Sequence, residues 1–244
     1  MVEPLAIDLF CGLGGWTEGL LAEGYRVVGF DIELHQYGNH RYPAQLVIQD
    51  VLTLHGSQFR DAALIVASPP CQAYSYRAMP WSRAKALPHP DNVLFDACFR
   101  IQREACEAAG RHIPLIVENV RGAQPWVGKA RWNYGSFYLW GDVPALMLHT
   151  FKGSKVPGFR FDGSGGSFQS ASVSGIKGIP HRPTGHWTNP AESGIKNARM
   201  WWGNPDGLSA KTSSKSPSRK AASALIAKIP LPLSRHIAAM FHHG

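Results

Sequence analysis

The first 120 residues alternate between short apolar runs and stretches of helical periodicity, and this alternation constrains the fold more than any other feature. Helical spacing of apolar residues runs from Trp16 to Ala22 and from Asn92 to Ala109. Strands that alternate with helices predict an α/β fold with a parallel, doubly wound sheet. The predicted strands are Leu5–Phe10, Arg26–Phe30, Gln45–Gln49, Ala62–Ala67 and Ile113–Val117.

Beyond residue 120 the periodic pattern is lost. Glycine, proline and serine dominate residues 121–217. Near the end of the chain the pattern predicts two helices, Ser218–Lys228 and Leu233–His242, which are separated by Pro230 and Pro232. A chain of 244 residues holds one to two domains of about 150 residues. We therefore expect a domain over residues 1–150, a small loop-rich region over 151–217, and C-terminal helices over 218–244 that pack back on the first domain.

The positive charge of the chain is confined to one segment. Residues 151–220 carry eleven basic and three acidic side chains, which accounts for the whole formal net charge of +8. Phenylalanine and tryptophan residues are interleaved with these cations. Phosphate-binding charge next to stacking surfaces favours nucleic acid as a partner, although a solvated surface loop has the same composition.

Several classes of protein are excluded by composition. No run of 18 apolar residues predicts a membrane span, and the first ten residues lack the basic start of a signal peptide. The four cysteines have neither metal-type nor disulfide-type spacing. We expect a reduced, cytoplasmic protein, in a bacterium or a phage-infected host cell, that is a monomer without a metal ion or a membrane partner.

The carboxyl ends of the predicted strands carry a glycine-rich turn and acidic residues, and ligands of doubly wound sheets bind at that edge. The turn Gly12–Gly15 lets the backbone approach a ligand in front of a helix N-terminus. Asp31 is placed to bind ribose hydroxyls, and Asp50 to accept a hydrogen bond from an adenine amino group. The pattern predicts an adenosine-containing cofactor and does not separate NAD from S-adenosylmethionine.

Two further strand-end residues indicate chemistry. Cys71 follows two prolines in a loop after the fourth strand, where a thiol is a candidate nucleophile and otherwise a small buried residue. Glu118 directly follows the fifth strand, where desolvation would suit a carboxyl group that protonates a base, and where an ordinary exposed carboxylate is the alternative.

Three motifs, in this order and spacing, resemble the cytosine-5 DNA methyltransferase family. They are DLFCGLGGWTEGL at 8–20, ASPPCQAYS at 67–75 and VENV at 117–120, which match the family's cofactor loop, nucleophile loop and Glu-Asn-Val strand end. The resemblance covers roughly residues 5–120. It implies a Rossmann-like sheet that binds S-adenosylmethionine in the first domain, and DNA as the substrate. Because the whole excess of positive charge lies in residues 151–220, we assign DNA contact to that segment.

The resemblance also implies a mechanism. The Cys71 thiolate adds to carbon 6 of a cytosine flipped out of the duplex, Glu118 protonates N3, carbon 5 takes the methyl group, and Cys71 is eliminated. Asn119 orients the Glu118 loop. The implied cofactor contacts are Asp8, Phe10, Gly12, Gly14, Gly15, Asp31, Ile32, Asp50, Val51 and Pro70. The candidate DNA contacts are Gln72, Ser75, Arg121, Arg182, Lys211, Lys215, Arg219 and Lys220.

The chain departs from the family pattern in three ways. No Gln-x-Arg-x-Arg segment follows Val120, and the nearest substitutes are Arg121 and Arg131, of which we place Arg131 in the catalytic set. The C-terminal Gly-Asn-Ser-Val motif is absent, and residues 121–217 are short for a target-recognition region. Two alternatives stay open: a nucleic-acid-binding protein with decayed catalysis, and methylation of cytosine in RNA or in a free nucleotide.

Overall fold

A computed structural model of the protein describes residues 3–75, 89–148, 224–225 and 227–242. Nearly all of them belong to one compact unit, which comprises residues 1–149 and 227–244. The predicted region 151–217 lies outside the described residues, and its role in binding DNA stays a prediction. No helix among the described residues combines the length and the apolar character that crossing a membrane requires.

Seven strands of this unit form one sheet: β1 Leu5–Leu9, β2 Arg26–Asp31, β5 Gln45–Ile48, β6 Ala62–Ala67, β7 Leu115–Asn119, β8 Trp132–Tyr134 and β9 Phe137–Gly141. Their order across the sheet is β5-β2-β1-β6-β7-β9-β8. A separate two-stranded ladder joins β3 Gln36–Tyr37 to β4 His40–Arg41. The helices are α1 Gly15–Ala22, α2 Val93–Ala109, α3 Gln124–Val127 and α4 Leu231–Phe241.

Strands β5, β2, β1, β6 and β7 run parallel, and crossover connections join each to the next of them along the chain. Both faces of this part of the sheet are covered. Alternate side chains of β6 point to opposite cores. Leu64 and Val66 pack with α1 and α4, whereas Ile65 and Ala67 pack with α2 on the other face. The α/β prediction and the five predicted strands are therefore confirmed.

The prediction that periodic structure ends near residue 120 is wrong for one segment. Strands β8 and β9 form an antiparallel hairpin that adds to β7, with Val117 opposite Trp140 and Glu118 opposite Leu139. Gly135, at the hairpin turn, has a φ of 58°, which favours glycine. The strands are three and five residues long, so their alternation is too short to stand out from a glycine-rich context.

Helix α4 begins at Leu231 with Pro232 in its first turn, so this proline starts the helix rather than breaking it. The helix packs against α1. The hydroxyl of Tyr25 donates a hydrogen bond to the carbonyl oxygen of Ala238 over 3.0 Å, and Arg235 pairs with Glu23 over 2.7 Å. Helix α4 thus covers α1 on its face of the sheet.

Candidate functional site

The carboxyl ends of β1, β2, β6 and β7 meet at one edge of the sheet because these strands are parallel. Leu9 stands opposite Phe30 and Ala67 in the sheet register, and Ala67 stands opposite Val117. The glycine-rich turn, the Cys71 loop and Glu118 therefore follow neighbouring strands at the same level.

The loop after β1 has the backbone geometry of a ligand-binding turn. Phe10 has a φ of 56°, a left-handed conformation that is uncommon outside glycine and is concentrated at functional sites. Gly12 has a φ of 50°, and a Cβ added to it would meet nothing within 4 Å. The N–H of Gly12 donates to Asp31 Oδ2 over 2.9 Å. Gly12 thus faces open space beside the Asp31 carboxylate.

The other two glycines of the turn serve packing. A Cβ on Gly14 would overlap the ring of Pro43, and a Cβ on Gly15 would overlap the backbone nitrogen of Ile229. Both glycines are buried. The structure therefore separates the predicted cofactor glycines into one that faces open space and two that admit neighbouring chain segments.

Asp31 is 9% exposed and lies between the loop and a short turn. Its Oδ1 is 3.4 Å from His35 Nε2 and accepts a hydrogen bond from the N–H of Glu33 over 3.4 Å. Ile32, which follows it, is 67% exposed and offers an apolar surface beside the carboxylate.

Asp8 lies beneath the loop in a buried polar chain. Thr17 Oγ1 donates to Asp8 Oδ2 over 2.6 Å and is 2.6 Å from the hydroxyl of Tyr42. Asp8 Oδ1 is buried and has no hydrogen-bond partner. Burial raises the pKa of Asp8 from its ordinary 3.8 to about 8, although the hydrogen bond from Thr17 lowers it. The carboxyl group therefore holds a proton near neutral pH.

Asp8 and Val51 have no exposed surface, so neither side chain reaches a ligand in this conformation. Asp50 is exposed, but its Oδ1 accepts from the N–H of Leu52 over 2.9 Å and caps a short 3₁₀ helix at Val51–Thr53. Of these three predicted cofactor contacts, Asp50 alone is open to solvent.

The Cys71 loop is held by the residues around it. Cys71 is half-buried and precedes a 3₁₀ helix at Gln72–Tyr74. Its carbonyl oxygen accepts a hydrogen bond from Ser75 Oγ over 3.0 Å. The buried Tyr74 donates to Asn92 Oδ1 over 2.8 Å, at the start of α2. The hydroxyl of Ser75 is thus used in a hydrogen bond within the loop. Gln72 and Pro70, by contrast, are exposed beside Cys71.

The end of β7 lies against this loop. Glu118 is 9% exposed and Asn119 is 1% exposed. Asn119 Nδ2 donates to the carbonyl oxygen of Pro69 over 3.0 Å, and Asn119 Oδ1 accepts from the N–H of Val120 over 2.8 Å. Asn119 therefore ties the Glu118 strand end to the backbone that precedes Cys71.

The candidate cations are distributed over different places. Arg121 is exposed just after β7, at the same edge as Cys71. Arg131 precedes β8 and lines a cavity of about 340 Å³ with His112 and Asp142, at the amino end of β7. The structure thus places Arg131 in this cavity, two strands away from β7, although the next residue, Trp132, is level with Glu118 in the sheet register. The predicted contacts Arg182, Lys211, Lys215, Arg219 and Lys220 lie outside the described residues.

Sequence reasoning missed the side chains that connect the two loops. Trp16 Nε1 donates to Ser68 Oγ over 3.0 Å, and the N–H of Ser68 donates to the carbonyl oxygen of Leu9 over 3.1 Å. Trp16 and Ser68 both lie inside the motifs quoted above, and this was the one sign in the sequence that they belong to the site. The hydrogen bond between them joins residues 52 positions apart, so no local sequence pattern predicts it.

A family model described as C-5 cytosine-specific DNA methylase matches residues 5–125. No curated protein matches the chain. Similar solved structures include an E. coli prophage-encoded protein assigned as a DNA modification methyltransferase, with 25% identity over 52% of this chain and 35% of its own, at a TM-score of 0.37.

Two others are methyltransferases of eukaryotes. The S. pombe Dnmt2 methyltransferase is 17% identical over 50% of this chain and 36% of its own, at a TM-score of 0.34. The Entamoeba histolytica methyltransferase EhMeth is 15% identical over 52% and 41%, at a TM-score of 0.35. The matched part of the chain thus spans well under half the length of each structure. Residues 5–125 belong to the C-5 cytosine-specific DNA methylase family.

Proposed function

We propose that the chain transfers a methyl group from S-adenosylmethionine to carbon 5 of cytosine in DNA, through a covalent adduct with Cys71. One observation carries the proposal. The hydrogen bond from Asn119 to the carbonyl oxygen of Pro69 joins the Cys71 loop to the Glu118 strand end, next to the strand that carries the glycine turn. Nucleophile, acid and cofactor loop thus share one edge of the sheet.

The residues present fit the cofactor that this family uses, S-adenosylmethionine. Gly12 leaves open space where a Cβ would otherwise project, and Asp31 lies beside it with acceptor oxygens for ribose hydroxyls. Exposed Ile32 offers an apolar surface for the adenine ring. When bound, the cofactor supplies an electrophilic methyl group on a sulfonium sulfur.

The residues of the chain act on the base. The Cys71 thiolate adds to carbon 6 of cytosine, which makes carbon 5 nucleophilic. Glu118 binds N3 and holds a proton there, so that negative charge on the ring is neutralised as the adduct forms. After carbon 5 is substituted, loss of its proton lets the thiolate leave and the ring regain aromaticity. Asn119 keeps the carboxyl group and the thiol in register through Pro69.

DNA is the proposed substrate because exposed polar groups surround Cys71 and cations are clustered elsewhere in the chain. Gln72 and Arg121 are exposed near the thiol, where a flipped base and its phosphate would enter. The eleven cations of residues 151–220 supply the attraction for phosphates that binding of a duplex needs.

The decisive experiment measures transfer of a labelled methyl group to duplex DNA, single-stranded DNA, RNA and dCMP, followed by mapping of the methylated base. We expect label at carbon 5 of cytosine in DNA. The Cys71→Ser variant should lose turnover and keep cofactor binding within about threefold, since the thiol does not hold the cofactor. A duplex with 5-fluorocytosine should trap the wild-type chain covalently. Label in RNA or dCMP alone would replace DNA as the substrate, and turnover by the serine variant would refute the adduct.

The basic segment has a test of its own. If several of its cations meet phosphates, affinity for duplex DNA should fall with salt at a log–log slope of about −0.9 per contact. Replacing Lys211, Lys215, Arg219 and Lys220 together should flatten this slope and weaken binding to all sequences alike. An unchanged slope would move the DNA contacts to the catalytic unit.

A further inference from the structure

The segment that leads to Cys71 is held by hydrogen bonds from three different elements. The N–H of Ser68 donates to the carbonyl oxygen of Leu9 at the end of β1, and Asn119 donates to the carbonyl oxygen of Pro69. The third bond comes from helix α1, where the indole N–H of Trp16 donates to Ser68 Oγ over 3.0 Å. This bond links the helix behind the cofactor loop directly to the nucleophile loop.

The location of Trp16 makes this link rigid. Trp16 is the second residue of α1 and directly follows Gly14 and Gly15, so its backbone moves with the glycine turn. Its side chain is 2% exposed and packs in the core between the sheet and helices α1 and α4. A buried indole that donates a hydrogen bond has one orientation, because an unpaired N–H would cost its desolvation.

The backbone between Ser68 and Cys71 has restricted torsion angles, so the position of Ser68 influences the position of Cys71. Two prolines, Pro69 and Pro70, lie between them and fix two φ angles near −65°. Fewer backbone torsions are therefore available to absorb a displacement of Ser68 before it reaches Cys71.

We propose that Trp16 is a positioning residue that acts through Ser68 to fix Cys71 relative to the cofactor loop. Its role in methyl transfer rests on the function proposed above. Its effect on the thiol does not, because the placement of Cys71 is measurable without cofactor or DNA. A misplacement of about 1 Å between reacting groups is enough to lower turnover strongly.

The test measures the alkylation rate of Cys71 by iodoacetamide, read by peptide mass spectrometry, in Trp16→Phe, Ser68→Ala and the double variant. Each single variant should raise the rate about three- to tenfold, the change that one neutral hydrogen bond can produce. The double variant should equal the single variants, because all three lack the same bond. Ser68→Thr, which retains a hydroxyl, should restore the wild-type rate.

Trp140→Phe is the matched control. Trp140 is also buried and donates its indole N–H to a backbone carbonyl, that of Gly128, over 2.9 Å, but on the α2 side of the sheet. Its loss should leave the alkylation rate of Cys71 unchanged. Melting curves of all variants distinguish a local change in the loop from global unfolding. If Trp16→Phe folds poorly, Ser68→Ala alone tests the hydrogen bond.

Turnover provides the second readout. In the Trp16→Phe and Ser68→Ala variants kcat should fall about tenfold while KM for S-adenosylmethionine stays within about twofold, because Gly12 and Asp31 are untouched. Unchanged alkylation in both single variants, or effects that multiply in the double variant, would overturn the proposal. If the wild-type chain methylates no cytosine substrate, the proposed function fails, and the positioning of Cys71 is decided by the alkylation rates alone.

Discussion

Replacing the ionisable carboxyl group of Asp8 by an amide should reduce the loss of stability that the protein undergoes as the pH rises towards 8. Asp8 is fully buried, its Oδ1 has no partner, and its pKa is raised from 3.8 to about 8 by burial. In the unfolded chain the carboxyl group loses its proton near pH 4, whereas in the folded chain it keeps the proton until about pH 8. Between these values the folded state binds more protons, so the free energy of unfolding falls as the pH rises.

The magnitude follows from the width of that window. Each pH unit costs about 1.4 kcal/mol, so the full interval of about four units corresponds to roughly 5 kcal/mol. The Asp8→Asn variant has no such proton, and its amide can still accept the hydrogen bond from Thr17 Oγ1. The stability of the variant relative to the wild type should therefore rise steadily from pH 5 to pH 8 and level off above it.

Urea unfolding followed by tryptophan fluorescence at half-unit steps of pH measures this difference. Asp61→Asn is the control, because the side chain of Asp61 is 83% exposed and its removal should leave the pH dependence unchanged. Parallel pH curves for the wild type and the Asp8→Asn variant would show that Asp8 is charged in the folded protein, and the reasoning from its burial would be refuted.

Other substitutions test the remaining parts of the site. Asp31→Ala should weaken binding of S-adenosylmethionine by about 1–3 kcal/mol in calorimetry, because ribose hydroxyls lose a buried acceptor, and tight binding of NAD instead would contradict the cofactor assignment. Gly15→Ala should lower the free energy of unfolding by about 1–3 kcal/mol in urea, since its Cβ would overlap the backbone of Ile229, and an unchanged midpoint would show that this segment yields. Arg131→Ala should leave kcat unchanged, because Arg131 lines a cavity at the amino end of β7, and a large loss would place it at the active edge.

The fold was predictable wherever burial on both faces leaves a mark on local sequence. Strands β1, β6 and β7 are rich in apolar residues because helices cover both faces of the sheet. A glycine-rich turn follows β1, Ser68 and Pro69 follow β6, and the polar pair Glu118 and Asn119 ends β7. The hairpin β8–β9 escaped prediction because β8 is an edge strand of three residues, and the apolar run of β9 is too short for its periodicity to indicate a strand.

The motifs of the candidate site could be predicted from the sequence, but the hydrogen bonds that join its loops could not. Cys71 and Glu118 could be named because strand-end chemistry depends on residue type and position. The role of Trp16 could not, because it depends on a contact with Ser68 that only the folded chain creates. Likewise, nothing local in the sequence distinguishes Gly12, which faces open space, from Gly14 and Gly15, which are packed against distant segments.

The packing of α4 on α1 has a consequence for the order in which the chain folds. Tyr25 and Ala238, which are joined by a hydrogen bond, lie 213 residues apart, so α1 leaves the ribosome long before its partner helix is made. Throughout that interval the apolar surface that Leu233 and Ile237 will cover is exposed on the nascent chain. Contacts of such sequence separation form slowly, and exposed apolar surface invites aggregation. Synthesis that stalls before residue 229 should therefore yield chains that bind chaperones, even though all strands of the sheet are already present.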